Sequence, residues 1–207
     1  MGSAQACVSV VDDDAAVLRS VGRLLQAAGY SVRTFSSGQD FLAHPDGGAP
    51  GCIVIDLSMP GLSGLQLQQA LTRKADHRPV VFISGAGSIA TSVEAMKAGA
   101  VDFLTKPFDA SRLLGVISAA VERDRSSRGA QLERAAVDVR LASLTPRERE
   151  VLELVVAGKL NKQIAAELGT AEKTVKVHRA RMMRKMQVDS LAGLVRAWTS
   201  IQPPNAY

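Results

Sequence analysis

The sequence predicts an α/β doubly wound domain on a five-stranded parallel sheet, followed by an all-α four-helix domain. Three observations carry this reading. In residues 1–125, short Val- and Ile-rich runs bounded by Asp, Gly, Ser and Pro alternate with longer stretches of helical spacing, the pattern of buried parallel strands joined by crossover helices. From Ser143 onward the strand-like runs stop, and every apolar repeat has a helical period. Charge divides in the same region: residues 1–125 hold 11 Lys and Arg against 12 Asp and Glu, whereas residues 126–207 hold 14 against 8.

The strands are expected at Val8–Val11, Ser31–Thr34, Ile53–Ile55, Val80–Ile83 and Val101–Leu104. Between them, helices are expected at Ala15–Ala28, Ser37–His44, Ser63–Lys74, Ile89–Ala98 and from Asp109 onward. Gly29 and Gly99 stand just past two of these helices, where a left-handed cap is favoured. Successive βα units with right-handed crossovers give a parallel sheet covered on both faces. Residues 126–142 read as a linker, partly helical: Arg125-Ser126-Ser127-Arg128-Gly129 breaks the pattern, while Gln131–Arg140 is charged but compatible with a helix. The remaining helices are expected at Pro146–Ala157, Asn161–Leu168, Glu172–Met186 and Ser190–Ile201. Thr145 is an N-cap, with Pro146 in the first turn and Glu148 at the capping-box distance. The tail from Gln202 to Tyr207, with Pro203 and Pro204, is expected to fray.

Composition narrows the function classes. The chain is 46% hydrophobic and 22% charged, and its longest uncharged stretches carry Gly, Pro, Ser and Gln, so no membrane span is expected. Residues 1–11 lack the basic flank and apolar core of a secretion signal. Two cysteines, Cys7 and Cys52, make neither a disulfide framework nor a metal-ligand pattern, and the chain reads as cytoplasmic. All the excess positive charge lies in the C-terminal part, where Lys173–Lys185 holds six basic residues and no acidic one. That run points to a polyanion partner, although a solvated helix face would look the same.

Five residues mark a candidate site in the first domain. Asp12 and Asp13 follow the first strand, Asp56 ends the third, Ser84 ends the fourth and Lys106 follows the fifth. In an open parallel sheet the carboxyl ends of the strands line one crevice, so all five are expected to converge there. A lone strand-end Asp is a common turn former, but three carboxylates, a hydroxyl and an ammonium at four strand ends form a chemical set. It suits phosphoryl transfer to a carboxylate. Clustered carboxylates repel unless a cation joins them, and Mg²⁺ takes oxygen ligands while keeping waters. Asp56, in mid-crevice beside the acidic pair, is the expected nucleophile. Lys106 supplies a point charge and Ser84 a hydroxyl donor.

Here a family resemblance enters. Val10-Val11-Asp12-Asp13-Asp14, Ile53-Val54-Ile55-Asp56, Met59-Pro60-Gly61, Ile83-Ser84-Gly85 and Phe103-Leu104-Thr105-Lys106-Pro107-Phe108 resemble the flavodoxin-like receiver domain of response regulators, over residues 6–125. The resemblance implies phosphorylation of Asp56 by a histidine kinase, with Mg²⁺ held by Asp13, Asp56 and the Ser58 carbonyl, and Asp12 acting mainly through the metal's waters. It also implies a switch in which Ser84 turns toward the phosphoryl group and Phe103 packs inward, and a cis Lys106–Pro107 bond. Ser84 stands where Thr is commoner in the family; it keeps the hydroxyl. As a core aromatic near a strand end, Phe103 has an equally good purely structural reading.

In the C-terminal part, small Ala165, Gly169 four residues on and Val175 six beyond that suit a helix-turn-helix: close helix approach, a positive-φ turn and an anchor for the second helix. On the helix Glu172–Met186, one face holds Ala171, Val175, His178, Met182 and Met186, and the opposite one Lys173, Lys176, Val177, Ala180 and Arg184. The second face suits a DNA major groove. Lys176 can donate to guanine, and Val177 and Ala180 can meet thymine methyls. Lys173, Thr174, Arg179, Arg181, Arg184 and Lys185 are assigned to phosphates, with Lys162 as a further contact. His178 is expected to be a packed, hydrogen-bonded core residue.

Leu144-Thr145-Pro146-Arg147-Glu148-Arg149-Glu150-Val151-Leu152, Asn161-Lys162-Gln163-Ile164-Ala165 and Thr174-Val175-Lys176-Val177-His178-Arg179 resemble the LuxR-type DNA-binding domain, over residues 140–201. Joined to a receiver, they are similar to the FixJ-like branch of response regulators, rich in transcriptional activators. The domains would then be a receiver at 1–125, a linker at 126–142 and a DNA-binding domain at 143–207. The implied partners are a cognate kinase, promoter DNA, RNA polymerase and a second copy on phosphorylation. Leu191, Leu194, Val195, Trp198 and Ile201 give the last helix an apolar stripe that serves either pairing of two such domains or its own core.

Three rival readings compete with this one. An aspartyl-phosphate phosphatase would need a substrate pocket and a cap domain, where this chain has basic helices, so the reading is not an enzyme. A DNA-binding protein using an unphosphorylated receiver only to dimerise would be marked by loss of Asp12, Asp13, Asp56 or Lys106, all of which are present. A redox sensor would use Cys7 and Cys52, which sit on strands expected to be buried and inert.

Overall fold

The computed structural model describes residues 5–44, 49–85 and 89–202, with no side-chain description for 86–91. It divides into two units, Met1–Arg128 and Gly129–Tyr207.

The first unit holds five strands, β1 (Cys7–Val11), β2 (Ser31–Phe35), β3 (Gly51–Asp56), β4 (Val80–Ser84) and β5 (Asp102–Thr105). All pairings are parallel, in the order β2-β1-β3-β4-β5. The helices α1 (Ala15–Ala27), α2 (Gly38–Ala43), α3 (Gly64–Arg73), α4 (Ile89–Lys97) and the start of α5 (Ala110–Ala142) alternate with them. β1, β3 and β4 are buried at every residue, which is why they read as continuous apolar runs rather than alternating ones. Their side chains still alternate between two cores. Val8, Val10, Cys52, Val54, Val81 and Ile83 meet Leu25 of α1 and Leu113 and Ile117 of α5. Val11, Ile53, Ile55 and Phe82 meet Leu67 and Leu71 of α3 and Ala95 of α4.

Observed element ends differ from the expected ones by one or two residues, because hydrogen-bonded ladders run past the apolar positions. Asp56 and Ser84, polar in sequence, are the last residues of β3 and β4. Gly29 and Gly99 take φ of 89° and 93°, as their places past α1 and α4 require. Cys7 pairs with Gly51 and Val8 with Cys52, so the two thiols point to opposite faces of the sheet, which removes the redox-pair reading.

The second unit comprises the distal part of α5, then α6 (Pro146–Val156), α7 (Asn161–Glu167), α8 (Glu172–Met186) and α9 (Leu191–Ile201). Its core joins Val137 and Leu141 of α5 to Val151, Leu152 and Val155 of α6, Ile164 and Ala165 of α7, Val175, Met182 and Met186 of α8 and Leu194 of α9. Residues 126–142, expected as a linker, are helical throughout. Val137 and Leu141, four apart, form one buried stripe in this core, and Arg134 and Arg140 on the same helix donate to the Ile201 and Met186 carbonyls at 2.9 and 3.5 Å. In the last helix Leu194 is buried and Trp198 and Ile201 pack on the core, while Leu191 and Val195 are exposed. The expected stripe therefore splits, with its larger part serving the unit itself. Gln202 caps α9, and the rest of the tail expected to fray lies outside the described residues.

Candidate phosphoacceptor crevice and DNA-reading helix

The sheet order reverses its direction of growth between β1 and β3, so the segments that leave these strands diverge and open a crevice at their carboxyl ends. Asp12 and Asp56 sit on either side of it, both buried. The Lys106 ammonium, carried in from the end of β5, donates to Asp12 Oδ2 and Asp56 Oδ1, each at 2.7 Å. The other carboxylate oxygens are also engaged: Asp12 Oδ1 accepts from Asp14 N–H at 2.9 Å and Asp56 Oδ2 from Ser58 N–H at 2.7 Å. Gly64 lets α3 begin here, since a Cβ at that position would stand 2.5 Å from the Asp56 carbonyl oxygen.

Electrostatics follow from this sharing. Burial raises the Asp12 carboxyl above its usual range against the opposing pull of Lys106 and Asp14 N–H, and the neighbouring Asp56 charge adds to the rise. Burial alone would lower the Lys106 ammonium; the bonds to Asp12 and Asp56 outweigh it and raise it instead.

Three of the five expected residues are thus joined directly. Ser84 is fully buried at the end of β4, and its carbonyl accepts from Lys106 N–H at 2.7 Å. Asp13 differs: it is exposed and shares no hydrogen bond with the other acids. Among the described residues no group of three acidic, His or Cys side chains is gathered closely enough to hold a metal. Asp13 faces solvent, which leaves Asp12 and Asp56 as the two acids in the crevice, with Lys106 between them. The donor set nevertheless consists of hard oxygens with negative charge in excess, which fits Mg²⁺. Phe103 is half-buried against the α3/α4 core, and the Lys106–Pro107 bond is cis.

In the second unit, Ala165 and Val175 are buried between α7 and α8, and Gly169 takes φ of 59° in the turn between them. Lys173, Thr174, Lys176, Val177, Ala180, Arg181 and Arg184 are all exposed on α8, and Lys162 is exposed at the start of α7. Lys176 also meets Glu172 at 3.1 Å, a solvated pair that DNA can displace. Arg179 gains a partner that the sequence did not show, and the expectations for Lys185 and His178 need correction. Arg179 is half-buried and donates to Asn161 Oδ1 at 3.0 Å, a link between the two helices. Lys185 is turned away from the basic face, donating to Glu148 Oε2 at 2.6 Å and to the Ser143 carbonyl at 3.0 Å. The His178 ring, expected to be packed and hydrogen-bonded, is half-buried and makes no side-chain hydrogen bond among the described residues.

Comparison with known proteins decides the family. Residues 8–118 match the response regulator receiver domain, and residues 142–198 match the luxR family of bacterial regulatory proteins. This chain is a response regulator. The regulator is 46% identical to Nodulation protein W of Bradyrhizobium diazoefficiens, covering 94% of this chain and 86% of that protein. It is 43% identical to the transcriptional regulatory protein FixJ of Azorhizobium caulinodans, covering 91% and 90%. Among solved structures, the response regulator StyR matches with a TM-score of 0.84 at 45% identity, over 95% of this chain and 99% of that one.

Polar links that the sequence did not disclose support the response regulator's two units away from the crevice. Asp124 of α5, buried, accepts from Gly51 N–H at 2.9 Å and from Arg128 at 2.6 Å. Arg78 forks onto Asp76, its nearest contact at 2.6 Å, and its guanidinium lies over the Phe41 ring, 5.5 Å from the ring centre. Arg147 donates to the Leu168 carbonyl at 2.6 Å and to Glu150 at 2.7 Å, closing the end of α7. The capping box expected between Thr145 and Glu148 is present. No helix among the described residues is long and apolar enough to cross a membrane.

Proposed function

We propose that this response regulator accepts a phosphoryl group on Asp56 from a histidine kinase and, as a homodimer, binds promoter DNA through α8 to activate transcription with RNA polymerase in the cytoplasm. One observation carries the phosphoacceptor reading: buried Asp12 and Asp56 share a single Lys106 ammonium at 2.7 Å each, at the switch point of the sheet. A catalytic role in turning over a separate substrate is not part of this reading.

In the transfer, an Asp56 carboxylate oxygen attacks the phosphorus of a phosphohistidine. A P–O bond forms as the P–N bond breaks, and the imidazole leaves with the electron pair. Asp13, Asp56 and the Ser58 carbonyl would hold Mg²⁺, with Asp12 acting mainly through its waters, and when bound the ion would neutralise charge on the phosphoryl oxygens. Lys106 already touches the Asp56 oxygen, so it needs only to turn to reach a phosphoryl oxygen. The Ser84 hydroxyl, at the end of β4, is the second donor, and its movement leaves room for Phe103 to pack inward. An apolar cleft of about 320 Å³, lined by Val17, Val21 and Leu24 of α1 with Pro107 and Phe108 beside Lys106, suits docking of the phosphoryl donor.

Phosphorylation then favours a receiver dimer through the surface of α4 and β5, where Val93 and Met96 are exposed. Pairing raises the effective concentration of the second DNA-binding unit without new base contacts. On α8, Lys176, Val177 and Ala180 read base edges; Lys173, Thr174, Arg181 and Arg184, with Lys162 of α7, hold phosphates. Arg179 joins them through the face it leaves exposed.

The test is intact-mass measurement after acetyl phosphate treatment. One phosphoryl adduct is expected, absent in Asp56→Asn and suppressed by excess chelator. An adduct that persists in Asp56→Asn would overturn the assignment. Sedimentation of the phosphorylated protein should show a dimer, weakened in Ser84→Ala; a phosphorylated monomer with higher DNA affinity would overturn the dimer step.

A further inference from the structure

The basic run of α8 contains one lysine that the geometry separates from the rest. Lys185 lies roughly 80° around the helix from Val175, on the flank of the buried side rather than on the face opposite it. Its ammonium is 2.6 Å from Glu148 Oε2 and 3.0 Å from the Ser143 carbonyl. Glu148 is itself buried, and its carboxylate also accepts from Thr145 N–H at 2.9 Å, while Glu148 N–H donates back to Thr145 Oγ1. One carboxylate thus ties the entry to α6 to the last turn of α8. The Lys185 ammonium, together with the Thr145 N–H, holds the Glu148 carboxyl below the usual range, so Glu148 carries its negative charge at neutral pH.

We infer that Glu148 and Lys185 are positioning residues that set the pose of α8 in the major groove, and that Lys185 makes no phosphate contact. This rests on the reading of α8 as the DNA-reading helix. An ion pair of this kind suits the task. Val175, Met182 and Met186 bury the helix but resist sliding and rotation weakly, because apolar contact is non-directional. A charge-assisted hydrogen bond at the C-terminal turn fixes both, and the capping box holds the Glu148 carboxylate in place to receive it.

The experiment measures binding of the full chain to two duplexes, one selected by the wild-type chain from a random-sequence pool and one unselected, across a range of salt. A phosphate-contacting lysine contributes about 0.9 to the slope of log K against log salt, whatever the sequence. Lys173→Met, the control for the DNA-reading helix, is expected to lose that increment on both duplexes. Lys185→Met is expected to keep the wild-type slope and to lose roughly tenfold in affinity for the selected duplex alone. Glu148→Gln, which keeps an acceptor for the cap, should show the same loss, Lys185→Arg should restore binding, and the double variant Glu148→Gln with Lys185→Met should be no worse than the weaker single one. Circular dichroism checks that each variant is folded; should Lys185→Met unfold, Glu148→Gln and Lys185→Arg carry the comparison.

If Lys185→Met loses the same slope increment as Lys173→Met, Lys185 is a phosphate contact and the inference is wrong. It is equally wrong if Glu148→Gln raises both affinity and slope, because Glu148 would then be withholding a DNA-binding lysine. Unchanged affinity in both single variants also overturns it. Should Lys173→Met leave the slope untouched, the reading of α8 itself fails, a result distinct from all of these.

Discussion

Replacing Lys106 with Met tests whether the crevice is held together by one shared cation. The substitution keeps an unbranched stem of similar length and removes the ammonium that two buried carboxylates share. Taking one partner from a buried ion pair costs roughly 3–5 kcal/mol. Lys106 keeps 23% side-chain exposure, so water replaces part of what is lost and the lower end, about 3 kcal/mol, applies. For a domain of this size that lowers the receiver's Tm by roughly 12 °C. Adding Asp12→Asn should recover more than half of the loss, because it removes one of the two charges left facing each other. The assay uses a convenience of the sequence: Trp198 is the sole tryptophan and lies in the second unit. Its fluorescence follows that unit, while far-UV circular dichroism follows both. In chelator, the circular dichroism transition of Lys106→Met should move while the Trp198 transition stays. An unshifted receiver transition, or no recovery on adding Asp12→Asn, would show that Lys106 does not compensate the acids in the resting crevice.

Other perturbations probe the supporting links. Burial would raise the Asp76 carboxyl, but the Arg78 guanidinium outweighs it and holds the carboxyl below its ordinary value, so the pair's stabilisation is present above that ordinary value and is lost as pH falls through the lower folded one. Asp76→Asn should therefore destabilise the receiver at neutral pH and flatten its acid titration, read by circular dichroism melts below about pH 4. Arg147→Met leaves the Leu168 carbonyl without this donor and should lower second-unit stability by about 1–2 kcal/mol in a Trp198 urea titration. A fragment starting at Gly129 should be more stable than one starting at Ser143 by roughly 2–4 kcal/mol, because the shorter one loses buried Val137 and Leu141; equal denaturation midpoints would contradict this. In the receiver, Asp124→Ala should leave Gly51 N–H unpaired and cost about 2 kcal/mol, with no effect on the Trp198 transition.

The crevice was legible because a topological rule does the folding on paper. Once five strands are expected to be parallel, their carboxyl ends must meet, and Asp12, Asp56, Ser84 and Lys106 are placed by position alone. What the rule cannot supply is the geometry within the crevice. Asp12 and Asp13 are adjacent and chemically identical, yet one is buried against Lys106 and the other faces solvent, since consecutive side chains leaving a strand point in opposite directions. The distal part of α5 was illegible for another reason. Ser126, Ser127 and Gly129 are weak helix formers, and local propensity ends the helix there; the anchor that continues it, Val137 and Leu141, acts through contacts with α6 to α9 that no window on the chain contains.

The contrast between Arg184 and Lys185 carries the point into function. Both are basic, both lie in the last turn of α8, and a charge count treats them alike. Helical periodicity separates them: Arg184 projects roughly opposite Val175, while Lys185 falls on the flank. Periodicity alone still leaves a long lysine free to swing to either side. What commits it is a carboxylate 37 residues earlier, whose capping role was visible in the sequence but whose capping oxygen also takes a second donor that the sequence does not reveal. Glu148 is thus read correctly as a helix cap and incompletely as a residue. A buried acid with one local bond has capacity for another, and a cation from a distant turn is the group that fills it at least cost. Charge in a DNA-binding helix is for this reason an upper bound on phosphate contacts, and the bound tightens only when each cation's acid partner within the fold has been found.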